Sequence, residues 1–145
     1  MKASETVDYN IKVCWHAISR MYNVEAAKND ITTSIGYVLL NIDPEKGTPA
    51  TKIAPQLGLE ARSLTRILKS MEEKKLIYKQ ADEVDKRSVR IMLTKEGLAK
   101  REVSRQTVRQ FNKKVREAIP QDQLQVFFQV IGQLNELIES KDVFS

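Results

Sequence analysis

Cysteine and histidine are almost missing from this chain: among 145 residues there is one of each, Cys14 and His16. A single thiol forms no internal disulfide, and the two together fall short of the ligand set that a zinc site needs. Residues i and i+2 of one helix point about 200° apart, so the two do not form a catalytic dyad on the helix predicted below. A nucleophile–His–acid triad needs its nucleophile and base at separate chain positions that converge in space, and the single histidine stands two residues from the single cysteine. The phosphate-cradling patterns G-x-G-x-x-G and G-x-x-x-x-G-K-[ST] do not occur. Adjacent carboxylates such as Glu72 and Glu73 fall at an exposed helix end, without the convergent geometry of acid–base catalysis. These absences predict a protein that is not an enzyme and uses no metal or cofactor.

Glycine and proline are also scarce, five and four residues, while 41% of the chain is apolar and 30% charged. That balance predicts one folded, helix-rich unit of ordinary domain size. No apolar run approaches the roughly 18 residues that cross a bilayer. The opening MKASETVDYN lacks the apolar stretch of a secretory signal. A cytoplasmic location without membrane contact is expected.

What the chain has in surplus is positive charge, and the surplus is local. The net charge is +5. Residues 51–101 hold 13 Lys or Arg against 7 Asp or Glu, whereas the remainder holds 11 against 12. A basic excess confined to the middle third predicts a polyanionic partner for that segment.

Periodicity places the elements. Val7, Ile11, Cys14, Trp15, Ile18, Met21 and Tyr22 recur at helical spacing and predict a first helix over 7–28. Asn29, Asp30 and Thr32 are cap-type residues before a second helix, 33–42, which the run DPEKG breaks. In TPATKIAPQLGL, Thr51 is expected to cap a short helix with Ile53, Ala54 and Leu57 on its buried face, Pro55 near its start and Gly58 at its end. EARSLTRILKSMEEKKL follows after a turn of about three residues, the spacing of a helix-turn-helix.

The fourth helix sorts its faces. At 100° per residue Leu64, Ile67, Leu68 and Met71 share one sector and Arg62, Arg66 and Lys69 the opposite one, flanked by Ser63 and Thr65. The cations crowd its first half and Glu72 and Glu73 its end, against the helix dipole. A solvated face selected for stability alone does not predict that reversal.

LIYKQ and SVRIML read as two strands joined by ADEVDKR, a hairpin wing too long and glycine-poor for a tight turn. Thr94 is placed to cap a long polar helix over 95–119, with Gly97 weakening its start by about 1 kcal/mol relative to alanine. QDQLQVFFQVIGQLNELIES, within 121–145, carries an apolar seam of Leu124, Phe127 or Phe128, Ile131, Leu134 and Ile138. The seams of the first and last helices exceed what a small winged domain needs, which predicts a dimer.

These features have the parts of a duplex-DNA reader. Arg62, Ser63, Thr65, Arg66 and Lys69 stand at the leading end of a helix of major-groove width. Lys79, Lys86, Arg87 and Arg90 lie on the hairpin, within reach of the backbone on either side. Asp82 and Glu83 at its tip oppose a simple phosphate grip. They point to Arg87 being held by a carboxylate, Asp85, and aimed at the minor groove.

GTPATKIAPQLGLEARSLTRILKSMEEKKLI followed by DKRSVRIMLTKEG resembles the winged helix-turn-helix of the MarR family of bacterial transcription regulators. The likeness runs from about Thr32 to Gly97. The family's wing pattern, Asp-x-Arg then Leu-Thr-x-x-Gly, falls on Asp85, Arg87, Leu93, Thr94 and Gly97. Lys86 stands where the family commonly has arginine.

The resemblance implies a mainly α fold with a small β-hairpin wing. It also implies a homodimer clasped by helices within 1–30 and 121–145, with a DNA-binding part over 32–97 and a connecting helix over 95–119. Pseudo-palindromic double-stranded DNA would be read by the helix beginning near Glu60, with Thr51 in the contacting set and Arg87 in the minor groove. The expected activity is transcriptional regulation, as a repressor released by a small aromatic effector; Trp15, His16 and Tyr37 are candidates to line its cleft. Two alternatives stand beside it. One is a peroxide-sensing regulator acting through Cys14, against which stands the reading of a buried thiol on an apolar stripe. The other is a winged helix whose basic face meets an acidic protein.

Overall fold

The apolar stripe between Val7 and Tyr22 folds as α1 (Val7–Ala27), preceded by a 3-10 turn at Ala3–Glu5. The computed structural model describes residues 1–145 and divides into two compact units, Met1–Thr107 and Val108–Ser145. Six helices and three strands follow in the order α1, α2 (Thr33–Leu40), β1 (Thr48–Pro49), α3 (Ala50–Leu57), α4 (Ala61–Glu73), β2 (Ile77–Ala81), β3 (Val89–Leu93), α5 (Lys95–Ala118) and α6 (Gln121–Glu139). The boundary between the units falls inside α5.

Local chemistry explains most helix ends. Thr32 caps α2, its Oγ1 accepting the Ile35 amide at 3.1 Å. Gly58, at φ 65°, closes α3 in the left-handed conformation that glycine adopts without strain. Thr94 works twice: its Oγ1 accepts the Gly97 amide at 3.0 Å, capping α5, and donates to the Lys75 carbonyl at 2.7 Å.

Two expectations about α3 are overturned. Pro49 occupies the N-cap and Thr51 lies inside the helix, where it is exposed. Pro55 is the sixth residue of eight, not near the start. A proline there removes the amide that would bond the Thr51 carbonyl, a loss usually disruptive in a helix. Here the proline faces solvent, while Ile53 and Ala54 anchor the opposite face in the core.

The wing is a three-stranded antiparallel sheet in the order β1-β3-β2. β2 and β3 pair from Ile77↔Leu93 to Ala81↔Val89. β1 has no sequence signature: two residues have no periodicity to read, and their pairing, Thr48↔Ile91 and Pro49↔Arg90, is imposed by β3. On β3, Ile91 and Leu93 are buried but Val89 stays exposed, so the alternation read from the sequence frays at the wing end.

The first unit holds the core. Ile31, Ile35, Val38, Leu39 and Ile42 from and around α2 meet Ile53 of α3, Leu64, Leu68 and Met71 of α4, and Leu76, Ile77, Ile91 and Leu93 of the sheet region. Each fully buried aliphatic side chain contributes roughly 1.5–3 kcal/mol of transfer free energy. In the second unit Leu124 is the one buried hydrophobe, while Val126, Phe127, Phe128, Val130, Leu137 and Ile138 are exposed.

Gly97 reverses its expected role. A Cβ built there would run into the Leu76 carbonyl oxygen and crowd Leu93, so α5 passes against the start of β2 only because this residue lacks a side chain. Helix propensity alone would favour alanine by about 1 kcal/mol. We expect Gly97→Ala to destabilise the protein by about 1–3 kcal/mol instead, read as a lower denaturant midpoint at unchanged slope.

Candidate nucleic-acid interface

α4 is positioned by its inner face. Leu64, Leu68 and Met71 are buried in the core, and Ile67 packs against it. Turning these inward leaves Arg62, Thr65, Arg66 and Lys69 exposed on the opposite side. None of the three cations makes a hydrogen bond or ion pair within the chain, so their donors are open to a ligand. The Thr65 hydroxyl donates back to the Ala61 carbonyl at 2.9 Å, which leaves its methyl group and oxygen lone pairs for outside contacts. There is no acidic residue in the first turn of α4 and no basic one in the last, as the charge order of the sequence requires.

Ser63 does not share that face. With Thr32, Ser34, Ile35, Leu59, Arg66, Ile67 and Ser70 it lines an open groove of about 500 Å³ between α4 and the start of α2. Arg66 alone borders both the groove and the outward face.

On the wing, 94% of the Arg87 side chain is exposed. Asp85 holds it as expected: Oδ1 accepts the Arg87 amide at 3.1 Å and lies 3.5 Å from its Nε. Lys86 is exposed beside it. Lys79 is exposed on β2 but pairs with Glu72 of α4 at 3.7 Å.

Arg90 departs from the expected set. Its side chain is 28% exposed and turned inward, with Nη1 donating to the carbonyls of Lys46 at 3.2 Å and Gly47 at 3.3 Å, and Nη2 lying 3.6 Å from Asp82 Oδ1. Asp82 in turn is buried, not at a solvated tip as expected. Strand alternation foretold neither contact, because the carbonyls belong to a turn more than forty residues away in sequence. The one signal was an acidic residue at the base of a basic hairpin.

Of the proposed effector residues, Trp15 and Tyr37 come together, with ring centroids 6.0 Å apart, and Tyr22 meets Tyr37 edge-on at 6.1 Å. Tyr22 lies on the same α1 stripe as Trp15, and that shared stripe is the sequence signal for its place in this cluster. His16, one residue further round α1, is exposed and takes no part. Burial, then the neighbouring Tyr37, pushes the Tyr22 phenol up to about 12, and burial raises Tyr37 as well. Cys14 is exposed, against the expectation of a buried thiol, because the outer half of α1 has no covering element in the single chain. No helix is long and apolar enough to cross a membrane.

Comparison with known proteins places this arrangement. Residues 32–89 match the profile of the MarR family. The regulator SarZ of Staphylococcus aureus is 29% identical over 105 residues, covering 70% of this chain and 71% of its own length. The regulator TtmR of Methylorubrum extorquens is 33% identical over 82 residues, 57% of this chain and 42% of its own. Among solved structures, the S. aureus MepR–DNA complex has a TM-score of 0.79 at 22% identity, covering 94% of this chain and 99% of that one. PcaV of Streptomyces coelicolor with its natural ligand also scores 0.79, at 20% identity over 94% and 96%.

The aromatic cluster carries a pH dependence. The unfolded phenol of Tyr22 ionises near its ordinary value of 10.0, the folded one near 12. Between those limits the unfolded state binds fewer protons, so this contribution to stability is complete below pH 10 and is lost as pH rises towards 12. Denaturant midpoints across that range should fall in the unsubstituted chain and fall less in Tyr22→Phe.

Proposed function

We propose, from the premise that this chain belongs to the MarR family of transcriptional regulators, that it binds duplex DNA sequence-specifically as a homodimer and represses transcription by occupying its site. The observation that carries this reading is the outward face of α4, where Arg62, Arg66 and Lys69 are unpaired and Thr65 is exposed among them, together with the Arg87 side chain of the wing, 94% exposed beside Asp85. Arginine and lysine reach guanine O6 and N7 in the major groove, and a threonine methyl packs on the thymine methyl. An exposed arginine held by a neighbouring carboxylate suits a narrow minor groove. Thr51, Lys79 and Lys86 complete the contact set, mainly at phosphates.

Dimerisation is supported by what α1 and α6 leave uncovered. Val7, Tyr9, Ile11, Val13 and Trp15 on one, and Phe127, Phe128, Leu137 and Ile138 on the other, are all exposed in the single chain. Apolar surface of that extent marks an interface. Two copies related by a twofold axis would set two recognition helices about 34–36 Å apart, one turn of the duplex, on a pseudo-palindromic site. A small aromatic effector seated against Trp15 and Tyr37 would act at the root of this arrangement and release the DNA.

A second reading has its own observation: Cys14 is exposed on α1. Its oxidation would put a polar group into the proposed dimer contact. Peroxide-induced release that vanishes in Cys14→Ser would establish it, and release that persists would remove it.

The test of the main reading is anisotropy titration on a duplex selected from a random pool and on random duplex, across salt. Affinity should fall steeply with salt on both, with a large preference for the selected site. Absence of any salt-dependent duplex binding would sink the reading and favour an acidic protein partner. Arg66→Ala should cost about 1–3 kcal/mol on the selected site and little on random duplex. Arg87→Ala should weaken binding without lowering the melting temperature by more than a degree or two.

A further inference from the structure

We propose that Arg90 is a positioning residue: with Asp82 it forms a clamp that sets the attitude of the wing to the helix-turn-helix, so that Arg87 reaches DNA while Arg90 does not touch it. The inference rests on the duplex-binding reading above and adds the residues that give the wing its aim.

Three facts converge on the clamp. The Arg90 guanidinium joins segments remote in sequence, donating to the Lys46 and Gly47 carbonyls on one side and pairing with the Asp82 carboxylate on the other. Asp82 organises the wing loop: Oδ1 also accepts the Val84 amide at 3.0 Å, and its own amide donates to the Ser88 carbonyl at 3.1 Å, closing the loop at its base. Only 9% of its side chain is exposed.

The turn that receives Arg90 is itself pinned. Asp43 accepts the amides of Lys46 and Glu45 at 2.9 Å each, bonds that hold its carboxyl below the usual carboxylate range. Gly47, at φ 70°, lies so close to β3 that a Cβ would strike Met92 and the Ile91 carbonyl. From there the chain pairs with β3 through Thr48 and Pro49, and Pro49 is the N-cap of α3. Arg90 therefore connects the root of the wing loop to the turn that launches the helix-turn-helix. Arg87 has only the nearby Asp85 and depends on that frame for its position.

The clamp and a direct phosphate contact make opposite predictions. Removing the Asp82 charge by Asp82→Asn tightens DNA binding if charge alone matters, because one repulsive carboxylate is gone; the clamp requires weaker binding. Arg90→Gln should weaken the selected duplex about tenfold in the unsubstituted background but less than twofold in Arg87→Ala, with the salt slope unchanged. Arg90→Lys keeps the charge but cannot fork between carbonyl and carboxylate, so it should not rescue. Additive losses, a salt slope reduced by about one, or full rescue by lysine would overturn the clamp in favour of a phosphate contact.

A nitroxide at Val84→Cys in the Cys14→Ser background reads the wing without DNA. Its mobility should rise in Asp82→Asn and in Arg90→Lys; unchanged mobility in both overturns the proposal, even if Arg90→Gln fails to fold. Should the unsubstituted chain bind no duplex, the reading of function fails, and the nitroxide still decides the clamp.

Discussion

The burial of one stripe of α4 is the constraint on which the rest depends. Leu64, Leu68 and Met71 enter the core beside Ile35, Leu39 and Ile53, and a helix that commits those positions has no freedom left about its own axis. The direction of Arg62, Arg66 and Lys69 is then a consequence of packing and not of any bond they make. Rigid placement of unpaired donors is what a reader of base edges requires, since a side chain that must first leave an internal partner loses that much affinity. The cost is a charge order opposed to the helix dipole, worth a few tenths of a kcal/mol to about 1 kcal/mol per charge, small beside the transfer free energy of the buried stripe.

The wing solves a different problem. A two-stranded hairpin is marginal by itself in water, and this one gains a third, two-residue strand and the closure of its loop by Asp82. Two arginines three residues apart divide the labour: one is turned inward among carbonyls and a carboxylate, the other is nearly free. Hydrogen bonds between charged and neutral partners in a half-buried setting are stronger than exposed ion pairs. The inward arginine is therefore part of the frame, and the outward one is available for contact. Thr94 and Gly97 serve the same frame at its other edge, one bonding the Lys75 carbonyl and the other letting α5 approach Leu76.

The two units differ in kind. The first has a contiguous core built from helices, turn and sheet; the second has a single buried hydrophobe and a helix apolar over much of its circumference. Exposed Phe127, Phe128, Val130 and Ile138 make little sense for an isolated chain, and α1 shows the same excess. In the proposed dimer these surfaces would be the structural counterpart of that core.

Sequence by itself determined the helices with long apolar periods, the inner and outer faces of α4, the two main strands of the wing, the caps at Thr32, Gly58 and Thr94, and the pairing of Asp85 with Arg87. Each is a local property: spacing along a helix, alternation along a strand, or a bond between residues two or three apart. Tertiary structure alone decided that Arg90 faces inward, that Asp82 is buried, that Pro49 caps α3 in place of Thr51, that Ser63 turns into a groove, and that Gly97 is required where propensity would favour alanine. Those outcomes rest on contacts between segments up to forty-four residues apart, and no pattern within a window of one or two turns contains the partner that makes them.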